Sequence, residues 1–147
     1  MPTYSFLDVN AALVGPGGAI NLGSGAGASE EGISITPSDD INTLTVGADG
    51  TPMHSLHANK SGQVTVRLLK TSPVNAQLSL MYAFQTASGA NHGKNTLSIA
   101  NNTTGDVTTC QAVAFMRKPD LTYAKEGGIN EWTFHAGIVD TSLGAVA

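Results

Sequence analysis

Charge is the scarcest property of this 147-residue chain. Asp, Glu, Lys and Arg together make up only 12% of it, about half of the share that is usual for a soluble domain. The seven Lys and Arg residues are scattered, and the formal net charge is −4. A nucleic-acid-binding domain needs a concentrated basic surface, so the composition argues against that class. A charge-poor surface favours one that is largely covered by copies of the same chain, and secreted β-modules have a similar composition.

Cysteine and long apolar runs are scarce as well. Cys110 is the single cysteine, which excludes a disulfide between two parts of one chain. Because no basic and apolar leader follows Met1, the sequence predicts synthesis in a reducing cytoplasm without export by the usual signal. No apolar run approaches the roughly 18 residues of a membrane span, so no membrane role is expected. The length fits one domain, residues 1–147, with a core of its own.

The motifs that bind nucleotides are incomplete. The segment 89–96, GANHGKNT, resembles a Walker A loop, but its spacer is one residue short and Asn95 replaces the hydroxyl residue. An ordinary helix-to-strand connection is predicted there, with Gly89 ending the helix in a left-handed conformation. The glycine-rich segment 23–32 does not fit G-x-G-x-x-G, and Glu30 and Glu31 would repel a pyrophosphate. We expect this segment to be a flexible arm or a glycine-lined connection, and no cofactor is predicted.

Metal binding is not expected either. His54 and His57 form an H-x-x-H pair, but the sequence before them, 47–52, is typical of a loop. No nearby cysteine or second pair completes a tetrahedral site. A loop or subunit contact is therefore predicted for both histidines, and surface or interface positions for His92 and His135.

Catalytic signatures are missing too. Neither G-x-S-x-G nor H-E-x-x-H occurs. Cys110 falls on the apolar side of an alternating stretch, together with Ala112, Ala114 and Met116, which favours a buried small hydrophobe. The chain is not expected to be an enzyme.

Alternation with period 2 dominates what the sequence does contain, and this is typical of half-buried strands. One such stretch, 62–69, places Val64, Val66 and Leu68 on one face. Its other face carries Gln63, Thr65 and Arg67. A second stretch near the C-terminus places Trp132, Phe134, Ala136 and Ile138 on one face. Weaker alternation occurs at 4–10, 33–36, 41–46, 96–101 and 107–117, with glycine-rich turns between the stretches. Since few helices separate them, antiparallel strands are predicted.

One helix interrupts this pattern, from about Pro73 to about Ala87. Ser72 is a candidate N-cap and Pro73 suits the first helical position. The apolar residues that follow at helical spacing are Val74, Leu78, Met81 and Tyr82. The predicted fold is mainly β: a single-domain antiparallel β-sandwich or barrel, with this helix laid across the sheet.

Read whole, the chain resembles the tail tube proteins of contractile-tailed bacteriophages. The resemblance spans nearly the full length and is carried by structural segments without a catalytic signature. These segments are 4–10, 22–27, 30–33, 46–50, 54–57, 61–73, 122–128 and 130–132. That family is similar in fold to the tube proteins of R-type pyocins and of type VI secretion.

The resemblance implies a structural subunit of the virion tail, assembled in the host cytoplasm. Six copies would form a ring, and rings would stack into a tube that conducts DNA without binding it. Sheath, baseplate and tape-measure proteins are the implied partners. Within this picture, residues 39–60 are the candidate for an extended loop that reaches a neighbouring subunit. The candidate residues of this loop are Asp39, Asp40, Asp49, His54 and His57, and those of a lumen or interface face are Gln63, Thr65 and Arg67.

Two rival interpretations stay open at this stage. A binding or capsid-decoration module would need an exposed aromatic platform, and Trp132 is predicted to face the core. A type VI secretion-like tube protein would share the fold, and the sequence does not separate it from a phage protein.

Overall fold

In the described part of the chain, nine strands and one helix follow a short 3₁₀ turn at Phe6–Asp8. The computed structural model describes residues 4–23, 28–102 and 104–144. The strands are β1 (Val9–Gly15), β2 (Gly18–Asn21), β3 (Ala28–Pro37), β4 (Asn42–Val46), β5 (Pro52–Leu56), β6 (Gly62–Leu69), β7 (Asn95–Asn101), β8 (Asp106–Arg117) and β9 (Ile129–Ser142). The helix α1 spans Val74–Thr86. The predicted mainly β fold with one helix is confirmed.

Seven of the strands form one antiparallel sheet in the order β2-β1-β7-β8-β9-β6-β3. The sheet is open, so the architecture is sandwich-like rather than a closed barrel. Strands β4 and β5 pair only with each other in the described structure, as a separate hairpin between β3 and β6. The hairpin leaves the sheet where Pro37 pairs with Gly62, and Ser38 N–H donates to Ser61 O at 3.0 Å just beyond.

The core lies between the inner face of the sheet and helix α1. Alternation delivers it: in β6 the buried residues are Val64, Val66 and Leu68, each with no exposed surface. In β9 the buried apolar residues are Trp132, Phe134 and Ala136, and the polar Asn130 and Thr133 are buried as well. Phe115 of β8 packs against Phe134 with ring centroids 4.9 Å apart and against Trp132 at 5.9 Å. Burying such large rings is the main source of stability for a chain of this size.

Helix α1 begins one residue later and ends one residue earlier than predicted. Pro73 has helical dihedral angles just before the first helical residue, and Ser72 Oγ accepts a hydrogen bond from Val74 N–H at 3.3 Å. Val74, Leu78 and Met81 are buried as expected. The residue that sequence analysis missed is Gln85, because glutamine at the end of a helix normally faces water.

Gln85 makes a buried pair of amide hydrogen bonds with Asn95 of β7. Its Nε2 donates to Asn95 Oδ1 at 2.7 Å, and Asn95 Nδ2 donates back to Gln85 Oε1 at 2.7 Å. Gln85 Nε2 also lies 2.8 Å from Pro16 O, in the turn between β1 and β2. This network fastens the C-terminal end of α1 to two strands, and it satisfies polar groups that would be costly if left unpaired in the core.

Strands β8 and β9 approach each other closely at Ala112 and Gly137. Ala112 has φ 53°, a left-handed conformation that is uncommon for alanine. A Cβ on Gly137 would lie 2.9 Å from Ala112 Cβ, so the close approach requires glycine. The pairing of β7 with β8 shifts register at the same place, as in a β-bulge.

Because of this bulge, the predicted inner face of β8 is wrong beyond Cys110. Cys110, Val113 and Phe115 are buried, whereas Ala112 and Met116 are exposed and Ala114 is half-buried. Ile138, which follows Gly137 in β9, is 45% exposed instead of buried. A one-residue bulge reverses the alternation, and apolar patterning does not reveal where it occurs.

Three further local predictions also differ from the structure. Gly93, with φ 75°, takes the left-handed conformation expected of Gly89. The strand predicted at 4–10 begins only at Val9, after the 3₁₀ turn. Of the connection predicted at 23–32, residues 24–27 lie outside the described residues, and residues 28–32 belong to β3.

Candidate assembly surfaces

Residues 39–60 form a hairpin arm, which is the form taken by the predicted extended loop. Every residue of β4 and β5 is exposed except the half-buried Ser55. The turn is closed by Gly47 N–H donating to Thr51 O at 2.9 Å, and Gly50 has φ 84° within it. A two-stranded hairpin is only marginally stable in water on its own. Such an exposed, isolated hairpin is typical of an element that packs against another surface.

One face of the hairpin arm is largely apolar. The pairing of β4 with β5 places Leu44, Val46, Pro52 and Leu56 on the same face, with Asn42 and His54. Leu44 is 54% exposed and Leu56 is 84% exposed. The opposite face carries Thr43, Thr45, Met53 and Ser55. An apolar stripe without a core beneath it is typical of a docking surface.

The polar residues predicted for this segment hold the arm in shape. Asn42 Nδ2 lies 3.1 Å from His54 Nδ1, and Thr43 Oγ1 lies 2.5 Å from His57 Nε2. Both contacts join the strand β4 to the strand β5 or to the residue just after it. The sequence predicted loop positions for both histidines. In the structure His54 lies in strand β5 and His57 directly follows it, and each imidazole ring contacts a side chain of the arm.

The aspartates cap the two ends of the arm. Asp39 Oδ2 accepts a hydrogen bond from Asn59 Nδ2 at 2.6 Å at the base, where Asp40 is exposed. At the tip, Asp49 Oδ1 accepts from Thr51 N–H at 3.1 Å. The backbone hydrogen bond from Thr51 lowers the pKa of Asp49 below its ordinary value, because it favours the charged carboxylate. The tip therefore stays negatively charged across the neutral range.

The outer face of the sheet, opposite the core, is largely polar and nearly neutral in its middle. Gln63 is exposed, and Thr65 and Arg67 are half-buried, on the side of β6 away from its buried valines. Arg67 Nε lies 3.3 Å from Glu131 Oε2, and Arg67 Nη1 donates to Ser34 Oγ at 2.8 Å. The exposed outer positions of β1 and β7 include Asn10, Ala12, Thr96 and Ser98, together with the apolar Val14. This face offers phosphate groups little unpaired positive charge.

Two strand edges of the sheet are open in the described part of the chain. Strand β2 pairs only with β1, and β3 pairs only with β6. These two strands stand at opposite ends of the strand order. Open edges present unpaired N–H and C=O groups that join readily to another strand.

Helix α1 presents an uncharged outer side. Leu80 is 73% exposed and Phe84 is 51% exposed, and the helix contains no charged residue. Lys70 precedes the helix, and its ammonium donates to Thr122 O and lies 4.0 Å from the ring centroid of Tyr123. Lys70 thus belongs to the surface around the β8–β9 loop more than to that of the helix.

The β8–β9 loop, residues 118–128, is a surface that sequence analysis missed. Tyr123 is 83% exposed and Leu121 is 62% exposed. Lys118 Nζ lies 5.2 Å from the Tyr82 ring centroid, and Lys70 N–H donates to Gly128 O at 3.1 Å. The sequence feature that could have revealed this surface is a tyrosine, a leucine and two lysines in a segment without strand periodicity.

The structure supports no chemical centre in the residues it describes. No group of three His, Cys, Asp or Glu residues comes together there as a metal site. Cys110 has no exposed surface, and burial raises the pKa of its thiol, so it remains protonated and unreactive at neutral pH. Among the described residues no helix is long and apolar enough to cross a membrane.

Comparison with solved structures finds the same fold in contractile injection systems. The anti-feeding prophage tube terminating cap is similar at 14% identity and TM-score 0.58, over 97% of this chain and 92% of that one. A chain of the PVC sheath-tube complex in the extended state, from an extracellular contractile injection system, is 12% identical with TM-score 0.57, over 97% of this chain and 92% of that one. The sheath/tube terminator of the same system is 14% identical with TM-score 0.56, over 97% and 98%. At these identities the likeness shows the fold.

Among curated proteins no sequence match was found. The family model for the Bacteriophage PhiTE tail tube protein, in contrast, matches residues 1–144, nearly the whole chain. The chain therefore belongs to the Bacteriophage PhiTE tail tube protein family, a family of structural subunits of the virion tail.

Proposed function

We propose that six copies of this chain close into a ring, and that rings stack into a hollow tube that conducts DNA during ejection. The observation that carries this proposal is the open seven-stranded sheet, whose edges β2 and β3 lie at opposite ends of the strand order. Joining β2 of one copy to β3 of the next removes both edges, which otherwise promote uncontrolled aggregation. Repetition around a ring would make one continuous barrel.

The outer sheet face is the proposed lumen lining. Its exposed polar side chains, among them Gln63 and Ser98, suit a wall in contact with water. Arg67 is engaged by Glu131, and this leaves little positive charge for phosphates to bind. Six copies carry a formal charge of −24, at −4 each. DNA would then pass without sequence-specific or tight contacts.

The opposite side of the subunit is proposed to meet the sheath. Helix α1 lies across the core from the outer sheet face, and it exposes Leu80 and Phe84 without any charge nearby on the helix. Baseplate and tape-measure proteins are the further proposed partners, with assembly in the host cytoplasm. The hairpin arm is proposed to contact a neighbouring subunit.

An edge substitution tests ring formation. Ala19 is an exposed residue of β2, and Ala12 is an exposed residue of the adjacent β1 on the same sheet face. Ala19→Lys should prevent rings, because lysine on an edge strand blocks the approach of another edge. Ala12→Lys adds the same charge one strand further in and should still assemble. Electron microscopy of both variants decides the matter, and equal assembly would show that β2 is not a joining edge.

A tube of a contractile injection system that carries no genome is the second candidate function. The folds of the PVC and anti-feeding prophage proteins, which are similar to the fold of this chain, support this second candidate. The genes beside this one distinguish the two candidates, since a phage tail gene lies among capsid and packaging genes.

A further inference from the structure

His54 lies at the centre of the apolar face of the hairpin arm. The register of β4 with β5 sets it directly opposite Leu44, and Val46 and Leu56 lie on the same face on either side of this pair. The imidazole ring is exposed, as are the three apolar side chains. The face therefore contains one group that can change its charge, in the middle of the surface that would be buried on docking.

Permanent charge is nearly missing from the arm. Between residues 41 and 57 Asp49 is the one acidic residue, and no Lys or Arg occurs. Asp49 lies at the tip of the hairpin, whereas Asp39, Asp40 and Lys60 lie at its base, beyond the paired strands. The six residues that share the face of His54 include no carboxylate that could compensate a charged ring.

The contact that His54 makes suits a neutral imidazole. Asn42 Nδ2 can only donate, and it lies 3.1 Å from His54 Nδ1, so Nδ1 accepts and the ring proton is on Nε2. This tautomer follows from the orientation assigned to the Asn42 amide. His57 differs, because its partner is the hydroxyl of Thr43 on the opposite face, and a hydroxyl can accept as well as donate. A charge on His57 therefore keeps its partner and does not enter the apolar face.

We propose that His54 is a pH switch for assembly, so that the arm docks while the ring is neutral and is released when the ring is protonated. The inference rests on the proposed contact of the arm with a neighbouring subunit and names the regulation of that contact. An uncompensated charge is costly to bury, whereas a neutral imidazole can be covered together with Leu44. Histidine changes its charge between about pH 5 and 8, so docking is complete above this range and is lost as the pH falls through it.

A pH series of assembly tests the switch, with light scattering and electron microscopy as readouts. The concentration needed by the unmodified chain should be constant near pH 8, and should rise by about tenfold for each pH unit once the ring is protonated, because each docked arm must release one proton. His54→Gln keeps a neutral polar side chain and should assemble equally well at about pH 8 and about pH 5.5. His54→Lys is charged throughout and should assemble poorly at both values.

Matched controls separate His54 from the other histidines. His57→Gln removes the second imidazole of the arm and should retain the pH response of the unmodified chain. His135→Gln removes an exposed imidazole of the outer sheet face and should retain it as well. The described core contains none of these three histidines. Circular dichroism at both pH values should therefore show a folded body in every variant.

The outcomes separate the switch from the tube function. Tubes of the unmodified chain that tolerate the lower pH, or a His54→Gln variant that weakens as much as the unmodified chain, would overturn the switch and leave the tube function intact. Stronger assembly at the lower pH would also overturn it, since the arm would then dock onto a carboxylate. An unmodified chain that never polymerises at any pH, even when seeded with baseplate, would remove the tube function and the switch with it.

Discussion

The sandwich body and the hairpin arm of this subunit differ in how much of their apolar surface they bury. In the body, β6, β8, β9 and α1 bury a continuous core in which Phe134 and Leu78 have no exposed surface. In the arm, apolar residues such as Leu56 remain mostly exposed, and the two strands pair only with each other in the described structure. The body contains its own source of stability, and the arm does not.

This difference supports the proposal that a charge-poor chain assigns folding to one region and assembly to another. Core burial and the Gln85–Asn95 amide pair fix the body without a partner. The arm keeps its shape through local contacts such as Asn42 with His54, while its apolar face remains exposed. Substitutions in the two regions should therefore affect different measurements.

Removal of the arm tip has the largest expected effect on assembly. Deleting residues 48–53 should abolish tubes and leave a folded protein, because none of these residues contributes to the core. Circular dichroism and thermal unfolding check the fold, and electron microscopy checks assembly. Normal tubes from this variant would break the proposed division between body and arm.

A gentler variant isolates the apolar face of the arm. Leu44→Ser with Val46→Ser keeps the backbone of the hairpin, and Thr45→Ser with Met53→Ser changes the opposite face as a matched control. The first pair should lower assembly and the second should not. If both pairs have the same effect, the apolar stripe is not the docking face.

Truncation of the core has the largest expected effect on stability. Phe134→Ala removes a fully buried ring that contacts Phe115, and should lower the free energy of unfolding by about 3–5 kcal/mol. Chemical denaturation measures the change. A loss below about 1 kcal/mol would mean that the body is not packed as described.

The buried amide pair should have a smaller effect on stability. Gln85→Ala leaves the Asn95 amide without its partner in the core, at a cost of about 1–3 kcal/mol. Gln77→Ala, on the exposed side of the same helix, should change stability by no more than about 0.5 kcal/mol. Equal losses in the two variants would contradict the role of the amide pair, since alanine is a better helix former than glutamine and helix propensity predicts no loss.

The sequence predicted those parts of the fold that periodicity controls. The faces of β6, the inward side of Trp132 and the position of α1 to within one residue at each end all follow from apolar spacing. The altered face of β8 was not predictable, since it depends on one left-handed residue, Ala112, and on its fit against Gly137. Gln85 was missed because its partner Asn95 is identified only by the tertiary fold.

The candidate surfaces were predictable to a smaller extent. Residues 39–60 stood out by their turns and polar residues, but the pairing that unites Leu44, Val46 and Leu56 on one face requires the register of β4 with β5. The β8–β9 loop lacks periodicity, and only the contacts of Lys70 with Thr122 and Tyr123 reveal it as an ordered surface.

Electron microscopy of the purified chain across a concentration series tests the central claim most directly. We expect hollow rings at low concentration and stacked tubes at higher concentration, with baseplate added if a seed is needed. Monomeric particles at every concentration, with the seed present, would contradict the claim that this chain assembles around a lumen.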